Sequence, residues 1–239
     1  MKHLESFLEL LQLDVDRYPV IAVVGGGGKT SLIFRLTEEL TEQGKTVIVS
    51  TTTHMAYEPH RPFAPDGVSE TVRENLEKYG YTVAAHREEN GKISSLSENK
   101  LMELKQFCNV MLIEADGAKH MPIKVPEEWE PVIPEFADVV ISVVGLDCLG
   151  KPIRETAHRM ERTAEFLRKS MEAPITQEDI VKITSSICGL LKNVEDRVYR
   201  VYLNKADILD NPEMAEDILE ELEQKKIVAS CGSIEEAEE

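Results

Sequence analysis

Five apolar residues in a row, Val20-Ile21-Ala22-Val23-Val24, stand between Pro19 and Gly25. An unbroken apolar run of that length suits a strand buried on both faces. After Thr30 the period changes: Leu32, Leu36 and Leu40 recur at helical spacing, and Gly44 is placed to stop a helix that ends near Gln43. Thr46-Val47-Ile48-Val49-Ser50 predicts a second buried strand. Strand, helix and strand at this spacing predict a right-handed crossover, so the strands run parallel and their C-terminal ends share one edge. The same pattern predicts strands at Asn109 to Gly117, Val139 to Val144, Val198 to Leu203 and Ile227 to Ser230. Helices are predicted over residues 3–13 and along two further stripes, Met160, Ala164, Leu167, Met171 and Met214, Ile218, Leu222. Another, with Ile180, Ile183 and Ile187 inward, opens on the capping-box pair Thr176 and Asp179 and stops at Gly189. Asn211-Pro212 opens the last.

Between Ala56 and Cys108 the chain is too long for a plain crossover. Pro59, Pro62 and Pro65 mark a loop, Ser69 to Tyr79 a helix, and Tyr81 to Ser95 a hairpin around Asn90-Gly91. Ser97 then caps a helix carrying Leu101, Leu104 and Phe107. The segment from about 56 to 96 reads as an insertion between the second and third core strands, a lid or a partner surface on a single domain spanning residues 1–239.

What the first strand runs into carries chemistry. Gly25-Gly26-Gly27-Gly28-Lys29-Thr30-Ser31 places four residues without Cβ, a lysine and two hydroxyls at a helix start. Such a loop can wrap N–H groups round a phosphate, and the helix N-terminus adds the positive end of its dipole. Lys29 would reach the β- and γ-phosphates and Thr30 would ligate Mg²⁺. The fold expected is therefore P-loop NTPase-like, a three-layer α/β/α arrangement with a mainly parallel sheet. The loop is two residues shorter than G-x-x-x-x-G-K-[ST], because Val23 stands where the first glycine belongs. In that it resembles the loop of the Mur-type ATP-dependent ligases.

Further groups fall at predicted strand ends. Thr51-Thr52-Thr53-His54 follows the second strand; it either binds metal, water or an oxyanion, or continues the strand with a surface histidine. Glu114 and Asp116 close the third. At i and i+2 they point to one face, and two buried unpaired carboxylates would be costly without a role, either holding Mg²⁺ or orienting a nucleophile. Which takes which role is open. Gly117 to Pro134 is proline-rich and carries Lys119, His120, Lys124 and Trp129; it is either a stiff substrate clamp or a packed connection. Arg154, His158 and Arg159 precede a helix, where cations oppose the dipole. They hold an anion, or pair with Glu155 and Glu161.

Asn204-Lys205-Ala206-Asp207 directly follows the fifth strand. It resembles the N-K-x-D guanine-specificity motif of GTP-binding proteins. An aspartate accepts from guanine N1–H and the 2-amino group together, and adenine offers no such donor pair. Lys205 would cover the base plane with its stem, and Asn204 would brace the loops. The other reading makes Asp207 an acid near a helix with no ligand. Ala229-Ser230-Cys231 lies where such proteins use a small-residue loop beside the base.

Composition narrows the partners. A net charge of −17 argues against a nucleic-acid duplex or an anionic membrane, both of which need a basic footprint. Much of that acidity lies in Glu213 to Glu223 and in Glu235 to Glu239, expected as a solvated face and a frayed tail. The four cysteines show no C-x-x-C spacing, and the stripe Leu4, Phe7, Leu8, Leu11 is interrupted by Glu5 and Glu9 rather than reading as a signal peptide. A reduced, cytoplasmic protein is expected.

Gly25 to Ser31, Thr51-Thr52-Thr53-His54, Glu114 to Lys119, Lys124 with Pro126, Glu130 to Pro134, Gly145-Leu146-Asp147 and His158-Arg159 together resemble the YqeC family. Its members are described as accessory proteins of selenium-dependent hydroxylases. The resemblance runs from Val20 to Asp207 and implies a nucleotide-binding protein serving maturation of a selenium- and molybdenum-containing enzyme. Its partners would be that molybdenum hydroxylase or its cofactor-maturation proteins. With the motifs, the expectation is a Mg²⁺-dependent nucleoside triphosphatase, GTP favoured over ATP, with Lys29, Glu114 and Asp116 catalytic and Asn204, Lys205 and Asp207 on the base. Two alternatives stay open. One is a small-molecule kinase or ligase in which His54, Lys119, Lys124 and Arg159 hold an acceptor. The other is a nucleotide-gated binding module without turnover.

Overall fold

The computed structural model describes residues 6–234. In chain order the elements are α1 (Phe7–Leu10), β1 (Val20–Gly25), α2 (Lys29–Glu42), β2 (Val47–Thr51), β3 (His54–Ala56), β4 (Phe63–Pro65), α3 (Ser69–Tyr79), β5 (Tyr81–Arg87), β6 (Lys92–Ser94) and α4 (Glu98–Leu104). They continue with β7 (Val110–Glu114), β8 (Ile123–Lys124), β9 (Val139–Gly145), α5 (Ile153–Thr156), β10 (Ala157–His158), α6 (Met160–Leu167), α7 (Gln177–Ser185), β11 (Val198–Asn204), α8 (Glu213–Gln224) and β12 (Val228–Cys231). The result is an α/β protein with a mainly parallel sheet. The chain packs as two compact units. One takes residues up to Val23, Leu32–Asp116 and Val132–Val139; the other takes Val24–Ser31, Gly117–Pro131 and the chain from Val140.

In the first unit the strand order is β1-β7-β2-β5-β6-β3, with β4 on β5. β7 lies between β1 and β2 and runs parallel to both, pairing Ile21 with Leu112 and Ile48 with Met111. Both faces of these strands are covered, so their side chains are apolar without alternation, as the run at Val20 predicts. Leu32, Leu36 and Leu40 of α2 are fully buried, each contributing about 1.5–3 kcal/mol relative to exposure.

The segment read as an insertion also builds sheet. Its hairpin forms as expected, β5 against β6 with Gly91 at φ 81°, and β5 runs parallel to β2 in the same sheet. The short strands β3 and β4 were not predicted, because three residues are too few to show a period.

The N-terminal helix is shorter than the predicted 3–13. It opens at Phe7 on the side chain of Ser6, and residues 3–5 lie outside the described residues, as does the tail from Glu235. So short a helix cannot hold itself together, and Glu39 of α2 holds it. The Glu39 carboxylate accepts from Phe7 N–H at 2.8 Å, Leu8 N–H at 3.4 Å and the Ser6 hydroxyl, satisfying the orphan donors at the helix start.

The second unit sets β9, β11 and β12 side by side and adds a two-stranded parallel pair, β8 with β10. Its core comes from Ile123, Val144, Leu146, Ile180, Val201 and Leu222 among others. The Thr176–Asp179 capping box forms and opens α7. That helix stops at Ser185, so Ile187, predicted inward, is 75% exposed. Likewise α6 stops at Leu167 on a left-handed Arg168, which turns the chain before Met171 can join the stripe.

Replacing Glu39 with alanine removes the acceptor that Ser6, Phe7 and Leu8 share. Glu39→Ala should lower stability by about 2 kcal/mol in urea unfolding and speed amide exchange at residues 7–11 ahead of the sheet. Unchanged protection there would show that α1 is held by its apolar contacts alone.

Candidate functional site

The glycine loop belongs to the second unit, and its neighbours explain its composition. Gly25 and Gly27 adopt φ of 95° and 73°, where an L side chain is strained. A Cβ at Gly27 would sit 2.2 Å from Gly145 N, and one at Gly28 would sit 2.3 Å from the side-chain nitrogen of Asn204. Close approach of backbone at Gly25, Gly26 and Gly27, and of the Asn204 side chain at Gly28, accounts for the glycines without a ligand. Two loop N–H groups expected to face an anion are engaged: Gly26 donates to Val143 O at 2.9 Å and Gly27 to Met121 O at 3.0 Å. An anion at this loop would meet the residues from Gly28 onward, where α2 begins at Lys29 with no acidic residue in its first turn. Lys29 is buried, and its ammonium donates to the Gly25 carbonyl at 2.8 Å. Thr30 and Ser31 follow in that turn and present the hydroxyl oxygens a hard cation prefers.

The N-K-x-D segment is fastened to this loop. Asn204 is buried; its amide donates to the Gly27 carbonyl at 2.8 Å, and its oxygen accepts from Ile234 N–H at 3.1 Å. Lys205 has φ 64°, and its ammonium lies 2.8 Å from the Asp147 carboxylate. The Asp207 carboxylate accepts from the Ser233 hydroxyl, while its N–H donates to the same oxygen at 3.1 Å. Ala206 N–H donates to Gly232 O and Gly232 N–H to Leu203 O, both at 3.0 Å. The loop beside Asp207 is thus Gly232 to Ile234, because β12 takes up Ala229, Ser230 and Cys231 as strand. Ser233 was missed; its signal was the small-residue run Ser230 to Ser233, whose strand part ends later than the apolar pattern showed.

His54, Glu114 and Asp116 lie in the first unit. Glu114 ends β7 opposite Val23 and Thr51, Asp116 follows past the strand end, and both are buried. The hydroxyls of Thr51 and Thr52 are used on backbone, donating to Glu114 O at 3.0 Å and Val132 O at 2.7 Å. His54 is exposed at the start of β3, with Nε2 3.1 Å from Glu88. It takes the place of the surface histidine of the plainer reading.

The remaining cations are in the second unit, and most support the proline-rich loop. Lys124 is fully buried, donating to Gly117 O at 2.7 Å and Glu130 at 3.0 Å. Arg159 grips both oxygens of Glu130, at 3.0 and 3.2 Å, and its guanidinium lies 5.6 Å from the Trp129 ring centre. Arg162 donates to Pro126 O at 2.6 Å, and Lys192 donates to Glu128 O at 2.8 Å. The carboxylates facing Arg159 are therefore Glu130 and, at 3.7 Å, Glu127, not the Glu155 and Glu161 considered from sequence; Arg154 takes Glu172 at 2.7 Å and Glu155 at 3.4 Å. Partners brought from 29 residues away carry no local spacing signal. Lys119 and His120 are exposed in a turn with φ of 47° and 63°. His158 registers with Lys124 across β8 and β10; burial, then the charges of Lys124 and Arg159, hold its imidazole below the usual range. Burial opposes the charge on Glu130, but Arg159 and Lys124, with the Glu127 N–H, outweigh it and bring the carboxyl down to about 2.

These features define an α/β protein with a mainly parallel sheet and, in its second unit, a glycine loop fastened to an N-K-x-D segment. The chain belongs to the YqeC family, whose model, described as YqeC protein, matches residues 21–161. It is 33% identical over 236 residues to a relative from Escherichia coli (strain K12) named "Uncharacterized protein YqeC", covering 95% of this chain and 92% of that one. Among the described residues no helix is long and apolar enough to cross a membrane.

The ion cluster makes stability depend on acid. Because Glu130 falls from the ordinary 4.5 to about 2, its contribution is complete above pH 4.5 and is lost as pH drops through 2. At pH 7 Glu130→Gln removes the carboxylate that Lys124 and Arg159 share, and stability should fall by about 3 kcal/mol. Followed by urea midpoint, the variant should show a flatter acid limb than the wild type below pH 4.5. Identical limbs would mean that Glu130 titrates normally.

Proposed function

We propose that this chain is a Mg²⁺-dependent guanine-nucleotide-binding protein that hydrolyses its nucleotide while assisting maturation of a selenium-dependent molybdenum hydroxylase. The observation that carries the reading is the Asn204 amide donating to Gly27 O at 2.8 Å. It joins the residues suited to phosphate and the residues suited to a base within one compact unit. Lys29 exchanges the Gly25 carbonyl for the β- and γ-phosphates, and the start of α2 supports their charge. Asp207, steadied by Ser233, accepts from guanine N1–H and the 2-amino group, and Lys205 lays its stem on the ring. Thr30 offers a hard oxygen to Mg²⁺, and that ion, when bound, neutralises phosphate charge. The biological assignment rests on the family resemblance, since the geometry speaks to the nucleotide and not to the enzyme served.

Titration calorimetry with Mg-GTP and Mg-ATP tests the base. GTP should bind about tenfold to a hundredfold more tightly, the range that 1–3 kcal/mol of bidentate base discrimination supplies. Equal affinities would remove Asp207 from base reading. Lys29→Ala should weaken either nucleotide by about tenfold or more, through the lost charge-assisted contact. An unchanged affinity would end the phosphate-loop assignment.

A further inference from the structure

We infer that Asp147 is a specificity-determining positioning residue, which acts by holding Lys205 in the orientation that lets its stem lie on a guanine ring. This rests on the guanine-nucleotide reading above and concerns the same site.

Asp147 lies in the short turn after β9, and its two oxygens are used differently. Oδ2 is 2.8 Å from the Lys205 ammonium. Oδ1 is buried with no hydrogen-bond partner. It rests against Gly145, where a Cβ would come within 2.4 Å of it and 3.1 Å of the Gly27 Cα. Gly145 therefore makes the room that lets a carboxylate stand beside the phosphate loop. A buried carboxylate oxygen without a donor is destabilising. The ion pair on the other oxygen offers little in return, since the Lys205 side chain is 40% exposed and such pairs contribute little to folding. Stability alone does not account for the arrangement.

Orientation does. Lys205 sits in a left-handed backbone conformation at the end of β11, which directs a long side chain that would otherwise sample many rotamers. Tying its ammonium to Asp147 restricts the stem before a ligand arrives, so less ordering is left for the binding step. The same contact neutralises a carboxylate that would otherwise repel phosphate at the neighbouring loop. Asn204 and Asp207 need no such anchor, because backbone groups and Ser233 already hold them.

The test uses the full chain and three probes, Mg-GTP, Mg-ATP and inorganic tripolyphosphate, which has phosphates and no base. Asp147→Ala should reduce the GTP-over-ATP affinity ratio by about tenfold and leave tripolyphosphate affinity within about twofold. Lys205→Met, which keeps the stem and loses the ammonium, should give the same loss, and the double variant should be no worse than either single. Asp147→Glu should restore part of the preference. If the alanine variant does not fold, Asp147→Leu, of similar size and with no acceptor for the ammonium, carries the same test. An unchanged ratio would overturn the inference, as would a parallel loss of tripolyphosphate affinity in Asp147→Ala or additive losses of the ratio in the double variant. A wild type with no preference for GTP would overturn the guanine reading and this inference together; a preference that survives Asp147→Ala would overturn this inference alone.

Discussion

One side-chain amide holds the candidate site together. Asn204 bonds Gly27 through its nitrogen and Ile234 through its oxygen, so a single buried group spans three loops separated widely in sequence. A short polar side chain in that position has to be satisfied at both ends, since a buried amide left half-paired is costly. Satisfying it sets the rest. Gly28 can carry no Cβ beside the Asn204 nitrogen, and Gly232 to Ile234 must return to the end of β11. The N-K-x-D segment and the glycine loop are therefore joined within this unit by the same buried amide.

A second constraint works the same way with charge. Lys124 is buried completely with Glu130 at 3.0 Å, and Glu130 has Arg159 as well to offset its own burial. The cluster ties residues 124 to 130 to the end of β10, and the carbonyls that receive Arg162 and Lys192 close the same stretch. Prolines limit the conformations of this loop, and the ion cluster selects one of them. Lys124 and Arg159, two of the cations that in sequence resemble an acceptor site, are engaged in holding their own loop.

The strands around Val20, Val47, Val110 and Val139 were legible because a strand covered on both faces is mostly apolar without alternation, and that leaves a nearly unbroken run. The Thr176–Asp179 box and the Asn90-Gly91 turn were legible because each is a local geometric rule. The parts that were not legible depend on groups distant in sequence. Nothing near residue 39 marks Glu39 as the cap of α1, and nothing near residue 159 points to Glu130. The four glycines were legible as a loop, but their main reason was not: Val143, Met121, Gly145 and Asn204 crowd them. Helix lengths erred where a left-handed residue ended the helix before its apolar stripe ran out, as Arg168 does for α6.

The crowding bears on what a short loop can do. Gly26 and Gly27 spend their N–H groups on Val143 and Met121, so the loop is pre-shaped by the protein rather than by an anion. A pre-shaped loop loses little entropy when a phosphate arrives, but it also has fewer donors to offer. On the guanine-nucleotide reading, more of the affinity must then come from the start of α2, from Lys29 and from the base. That is where the unit places its most constrained side chains: Asn204 bonded on both sides, Lys205 held by Asp147, and Asp207 held by Ser233. On that reading a loop weak in phosphate donors and a segment this firmly held are two sides of one arrangement, in which the base, more than the phosphate, would decide what is bound.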